Sequence, residues 1–290
     1  MRSRADRISS TSYVQGESPR LDPRTGELIW VDILAGRVHR GRLADGVLTV
    51  LRDYEVGGPV GVAVPLAAPG AGWALAVREG FAHLAEDGVV TPLVTGLTAG
   101  QDQLNDGACH PDGSFWAGSQ AIPRAPRAAL FRLSVDGEVE TMLGGLTVAN
   151  GIDFSPDGRT LYFVDTLPHR RLEAITLYDG RPGERTTIVE ISGGNPDGLV
   201  LDDEGCVWVA VWDASEVRRY APTGELLATV ELPVPRPTAV CFQGSTVVIT
   251  TASLGLDRPP VGSGHLFAAD VGVTGPPARP WLGRGAAYCG

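Results

Sequence analysis

Residues 149–165, ANGIDFSPDGRTLYFVD, hold a short apolar segment, a tight Pro-Asp-Gly turn and a second segment rich in aromatic and β-branched residues. The pattern occurs six times. The other copies are LDPRTGELIWVD (21–32), APGAGWALAV (68–77), HPDGSFWAG (110–118), DDEGCVWVA (202–210) and FQGSTVVIT (242–250). Their turn glycines, Gly26, Gly72, Gly113, Gly158, Gly205 and Gly244, lie 46, 41, 45, 47 and 39 residues apart. A repeat of short strands with a period of about forty-five residues marks a β-propeller, one blade per repeat.

Each repeat reads as four strands. In the fifth, GLVLD, CVWVAV, EVRRYA and ELLATVEL are separated by DEG, WDAS and PTG turns. Alternating side chains suit pleated strands, and Asp-Gly and Thr-Gly pairs accept the positive φ of tight hairpins. No sustained 3.6-residue apolar period predicts a helix. The expected fold is therefore all-β: a single six-bladed propeller over residues 1–290, with four-stranded antiparallel blades around a central channel. The stretch before Gly16 is long enough to add an outer strand to the last blade, which would remove a free edge. Loops 119–127, 166–171, 212–216 and 252–264 should wall one mouth of the channel.

Composition narrows the partners. Against 24 basic residues stand 34 acidic ones, a formal charge of −10. That balance favours solubility and argues against nucleic acid or an anionic membrane as the main partner, and the expected partner is a small-molecule substrate. The N-terminus has no signal-type apolar stretch, so the expectation is cytoplasmic, as a monomer or weak homo-oligomer. Cys109, Cys206, Cys241 and Cys289 show no zinc-type spacing, and the five histidines form no HxH or HxxxH pair.

One phase of the repeat carries chemistry. Asn105, Asn150 and Asp197 each lie 8 residues before their turn glycine, and Glu17 lies 9 before its own. In the sixth repeat Thr238 matches Asp197 by local pattern, while the second offers only Pro59 or Val60. Taken singly, Asp197 in NPDG, Asn105 in LNDG and Asn150 in ANG read as ordinary turn residues. Their shared phase does not follow from that reading. In a closed ring it places all four at one axial level, facing the axis. Two carboxylates and two carboxamide oxygens make a hard, oxygen-only donor set suited to one divalent ion. Calcium best tolerates irregular geometry, with Mg²⁺, Mn²⁺ or Zn²⁺ as alternatives. Asp106 should point to the other side of its strand and is a secondary candidate.

These segments resemble the SMP-30/gluconolactonase/luciferin-regenerating-enzyme family of six-bladed propellers. The resemblance rests on GESPRLDPRTGELIWVDILAGRVHR, LNDGACHPDGSFWAGS, ANGIDFSPDGRTLYFVDT, GNPDGLVLDDEGCVWVA and RPTAVCFQG, and spans about residues 13–270. It implies a divalent metal held by Glu17, Asn150 and Asp197, with Asn105 on metal or substrate and Asp197 also the general base. Sugar-lactone hydrolases of the family carry an Arg two residues before the NDG asparagine. Here that position is Gln103, which keeps hydrogen bonding but loses the charged fork.

The expected activity is metal-dependent hydrolysis of a lactone, with Asn105, Gln103, Asp106 and Thr238 on the substrate side. One alternative keeps the metal but takes an organophosphate or another ester. Another is a non-catalytic, calcium-stabilised binding propeller. Ser18 and Ser119 lack an identifiable His partner, which disfavours a serine nucleophile. Trp30, Trp116 and Trp208 read as packing between blades, and Asp32 and Asp165 as loop caps. Arg124, Arg127, His169, Arg170 and Arg171 read as solvated mouth residues, any one of which could meet a substrate carboxylate. Trp212 is a candidate for packing against substrate.

Overall fold

The computed structural model describes residues 2–284; Cys289 lies outside the described residues. Every regular element in it is a strand, and the strands form six sheets. The innermost strands are Gly16–Asp22, Val60–Pro65, Gln103–Cys109, Ala149–Phe154, Asn195–Leu201 and Pro237–Gln243. Each pairs antiparallel with the strand that follows its turn glycine. All six turn glycines have positive φ, from 61° to 87°, a region that side chains with a Cβ rarely adopt.

The ring closes as the sequence suggests, with one addition. Asp6–Arg7 pairs with Phe267–Asp270 as the outer strand of the sixth blade. Arg2–Arg4 adds a parallel fifth strand to the fifth blade, against Leu226–Glu231. The N-terminus thus ties the last two blades together, and the fifth departs from the four-strand rule.

Aromatic side chains fill the seams. Tyr54 meets Trp73 across blades one and two at 5.4 Å between ring centres, and Phe81 meets Phe115 across two and three at 5.2 Å. Trp116 meets Phe154 across three and four at 5.3 Å, and Trp208 meets Phe242 across five and six at 6.0 Å. Trp30, Trp116 and Trp208 are fully buried, as packing between blades requires. Burying one such side chain contributes about 1.5–3 kcal/mol.

A C-terminal strap crosses the turn-bearing face. Ala278 N donates to Leu21 O at 3.1 Å, Trp281 N to Pro65 O at 2.9 Å and Leu282 N to Gly113 O at 3.0 Å. The channel is thereby tied off at that end, leaving the opposite mouth as the entrance. Cys109, Cys206 and Cys241 are buried and free. No helix of the described residues is long and apolar enough to cross a membrane.

Buried aspartates brace the turns. Asp202 accepts from Cys206 N and Trp208 Nε1 at 2.9 Å each, and from Arg219 Nε at 2.7 Å. Asp202→Ala leaves those donors unpaired in the core and should cost about 3 kcal/mol or more by chemical denaturation. Asp157, in the equivalent turn of blade four, is exposed, and its carboxylate accepts from the Ser155 hydroxyl and the Arg159 N–H. Asp157→Ala should barely move the same transition.

Candidate active site

All six innermost strands lose regular pairing at the same place. The breaks fall between Glu17 and Arg20, Val60 and Val62, Leu104 and Gly107, Ala149 and Ile152, Pro196 and Leu199, and Pro237 and Val240. Asn105, Asn150 and Asp197 are the first unpaired residues of their breaks, and Glu17 is the last paired residue of its own. Such irregularities re-aim side chains, and here they aim them at the axis. The Glu17 offset of one residue thus has a local cause. Ser18, the next residue, sits at φ 51°, and its N–H turns back to Glu17 Oε2 at 2.8 Å.

Glycines let the inner strands converge. A Cβ on Gly61 would lie 1.8 Å from Asn105 O, and one on Gly151 would lie 2.6 Å from Asp197 O. No side chain fits at either place. Second-strand carboxylates hold the approach: Asp32 accepts from Val14 N at 2.9 Å and Gln15 N at 3.1 Å, and Asp165 from Val148 N at 2.9 Å. Both loop caps expected from the sequence therefore position the strands that carry Glu17 and Asn150.

The mouth holds a cavity of about 290 Å³ that Glu17, Gln103, Asn105, Asn150 and Asp197 all line. Gln120, Ile122 and Arg124 enter from the third blade, Thr166 and Leu167 from the fourth, Trp212 from the fifth and Leu254 from the sixth. Each loop predicted to wall the mouth contributes. Arg236 stacks 4.9 Å over the Trp212 ring.

Hydrogen bonds orient the two carboxamides. Thr166 Oγ1 donates its one proton to Pro196 O at 2.8 Å, so it can only accept from Asn150 Nδ2, at 2.9 Å. Asn150 Oδ1 then accepts from Asn105 Nδ2 at 2.8 Å, and that NH₂ also meets Ala149 O at 3.0 Å. Both amide nitrogens are engaged, and among the described residues the Asn105 oxygen has no hydrogen-bond donor and is available to bind. Thr166 was part of a mouth loop in the sequence reading, but no motif gave it this role.

Two expected residues lie elsewhere. Thr238 is fully buried and does not reach the mouth; its hydroxyl donates to Gly16 O at 2.6 Å and bonds Thr250 Oγ1 at 2.8 Å. It joins blade six to blade one. Asp106 faces the other side of the breaks, into a void of about 50 Å³ closed by residues 276–279. There it receives the Gly107 N–H at 2.7 Å, and Arg20 lies 3.7 Å away.

Burial pushes the Glu17 carboxyl well above its ordinary range, and Asp197 and then Asp106 raise it further; the Ser18 N–H and Arg20 offset part of this. Asp197 is likewise raised well above its ordinary value by burial and then by Asp106, against the charge of Arg124. Among the described residues no side chain hydrogen-bonds to the Asp197 carboxylate. Nor do three His, Cys, Asp or Glu side chains gather into a metal-binding group among them. An ion at this level would therefore need the Asn oxygens as well as the two carboxylates. The donor chemistry fits a hard divalent cation: two desolvated carboxylates in mutual repulsion, with carboxamides whose nitrogens are already engaged.

The SMP-30/gluconolactonase/LRE-like family model matches residues 15–253. A 6-deoxy-6-sulfogluconolactonase of Pseudomonas putida is 34% identical over 275 residues, covering 90% of this chain and 93% of the relative. A regucalcin of Xenopus laevis is 32% identical over 290 residues, covering 92% and 95%. Among solved structures, the calcium-binding protein regucalcin of Agrobacterium tumefaciens superposes with a TM-score of 0.88 at 27% identity, covering 97% of this chain and 98% of that one.

A buried acid with a raised pKa binds its proton more tightly in the folded state. Its stabilising contribution is complete below the ordinary carboxylate range and is lost as pH climbs through the raised value. The thermal midpoint of chelator-treated protein should accordingly fall as pH rises above the ordinary carboxylate range. Glu17→Gln and Asp197→Asn should each shrink that fall and raise the midpoint at the alkaline end. Melts followed by circular dichroism measure both.

Proposed function

Because the chain belongs to the SMP-30/gluconolactonase/LRE-like family, we propose that it hydrolyses a lactone. The cofactor is one divalent ion, calcium in the first instance, held by Glu17, Asn150 and Asp197 with Asn105 beside them. The observation that carries this reading is the pair of buried carboxylates, Glu17 and Asp197, in one cavity with two oriented carboxamides. An ion bound there supplies Lewis-acid polarisation of the ring carbonyl, worth several kcal/mol in the transition state.

The chain's own groups do the rest. Asp197, clear of side-chain hydrogen bonds, orients the attacking water and accepts its proton as oxygen adds to the carbonyl carbon. The ring C–O bond then breaks, and the departing oxygen takes up a proton. Asn105 and Gln103 present amides to the substrate hydroxyls. Trp212, Leu254 and Ile122 form an apolar wall that excludes water from the bound ring. A serine nucleophile has no support: Ser18 Oγ lies against Asp106 and Arg20, and Ser119 Oγ against the Ala129 backbone. We read the partner as a small molecule alone, with no nucleic acid or membrane, and the protein as a cytoplasmic monomer or weak homo-oligomer.

Asp197→Ala and Glu17→Ala should each lower kcat/KM for five- and six-membered lactones by about a thousandfold or more while leaving the circular-dichroism spectrum intact. Exhaustive chelation should remove activity, and calcium should restore it. Unchanged lactone turnover after chelation would contradict the reading. Phosphotriester turnover above lactone turnover would favour the ester alternative.

A further inference from the structure

All 24 basic residues of this chain are arginine, yet among the described residues only Arg124 brings a positive charge to the mouth cavity. The other charged groups lining it are Glu17 and Asp197. Among the described residues no carboxylate forms an ion pair with Arg124. Its NH1 donates to Gln120 Oε1 at 2.7 Å, which fixes one edge of the guanidinium and leaves the remaining donors of the fork for a ligand.

The loop that carries Arg124 is tied down at both ends. Ala121 N donates to Thr147 O at 3.0 Å and Ile122 N to Asp102 Oδ1 at 2.7 Å. Arg127 grips the same Asp102, through Nε at 2.8 Å and NH2 at 2.6 Å. Two arginines of one short loop are thus used differently. Arg127 is consumed in holding the loop, and Arg124 is held over the cavity.

The surrounding field does not favour anions. The chain carries a formal charge of −10, and two carboxylates lie at the bottom of the mouth. A single oriented guanidinium in that place is a selective device rather than part of a generally basic surface. Arginine binds planar or tetrahedral oxyanions through paired, charge-assisted hydrogen bonds that a neutral hydroxymethyl cannot match. Gln103, which lines the same cavity, is neutral and buried, so among the described residues charge recognition of an anion there falls to Arg124.

We propose that Arg124 forms an anion subsite at the mouth, and that the substrate is a lactone bearing a carboxylate, sulfonate or phosphate remote from its ring carbonyl. The proposal rests on the lactonase reading for its reaction, but not for its binding.

The test uses six-membered lactones that differ only in their terminal group: hydroxymethyl, carboxylate, sulfonate or phosphate. Wild type should show a kcat/KM about tenfold or more higher for at least one anionic member, through a lower KM, and the advantage should shrink with added salt. Arg124→Gln should abolish the advantage and Arg124→Lys should keep part of it. The largest ratio identifies the anion. Equal kcat/KM across the series, or an Arg124→Gln defect that is the same for neutral and anionic members, overturns the proposal. Calorimetry with the matching non-hydrolysable lactams separates the two readings. Tighter binding of an anionic lactam, lost in Arg124→Gln, supports the subsite even where no lactone turns over; that absence of turnover counts against the lactonase alone.

Discussion

Glu17 and Asp197 come from the first and fifth blades, and the ring brings them, both buried, into one cavity. Like charges stripped of water cannot both stay ionised there without help. The rest of the site reads as ways of supplying that help. A proton can neutralise one acid, Arg124 sits opposite Asp197, Arg20 lies under Asp106, and the cavity presents oxygen donors to a cation. Family relatives include proteins named for calcium binding and for lactone chemistry. The buried pair gives a physical reason why one fold would carry both.

Holding such a pair needs a scaffold that does not relax. The seams between blades are packed with buried aromatics, and the strand breaks recur at one level in all six blades. Gly61 and Gly151 allow backbones to approach where any Cβ would collide. Asp32 and Asp165 fasten the chain just before the site strands, and Thr166 sets both carboxamides through a single hydroxyl proton. The C-terminal strap shuts the far end of the channel. The site therefore opens in one direction, through loops whose composition differs from blade to blade.

Much of this was legible in the sequence because it repeats. Six glycine turns at a near-constant interval announce blades, and a phase shared by Asn105, Asn150 and Asp197 announces an axis. The N-terminal contribution to blade six followed from ring closure, while the parallel strand Arg2–Arg4 had no repeat to reveal it. Local pattern alone misplaced Thr238. It stands where Asp197 stands in its own blade, but its short side chain finds Gly16 O and Thr250 before it can reach the mouth. Asp106 lines the void under the site rather than the mouth cavity. The roles of Thr166 and Arg124 depend on which neighbour a loop side chain meets, and single residues in non-repeating loops leave no periodic trace.

The central claim is that the gathered oxygens form one cation site. Isothermal titration of chelator-stripped protein with calcium, run in two buffers of different ionisation enthalpy, tests it directly. The account predicts one ion bound per chain with release of protons from the buried carboxyl pair, both lost in Glu17→Gln. Absence of calcium uptake by folded wild-type protein, or uptake unchanged in that variant, would contradict it.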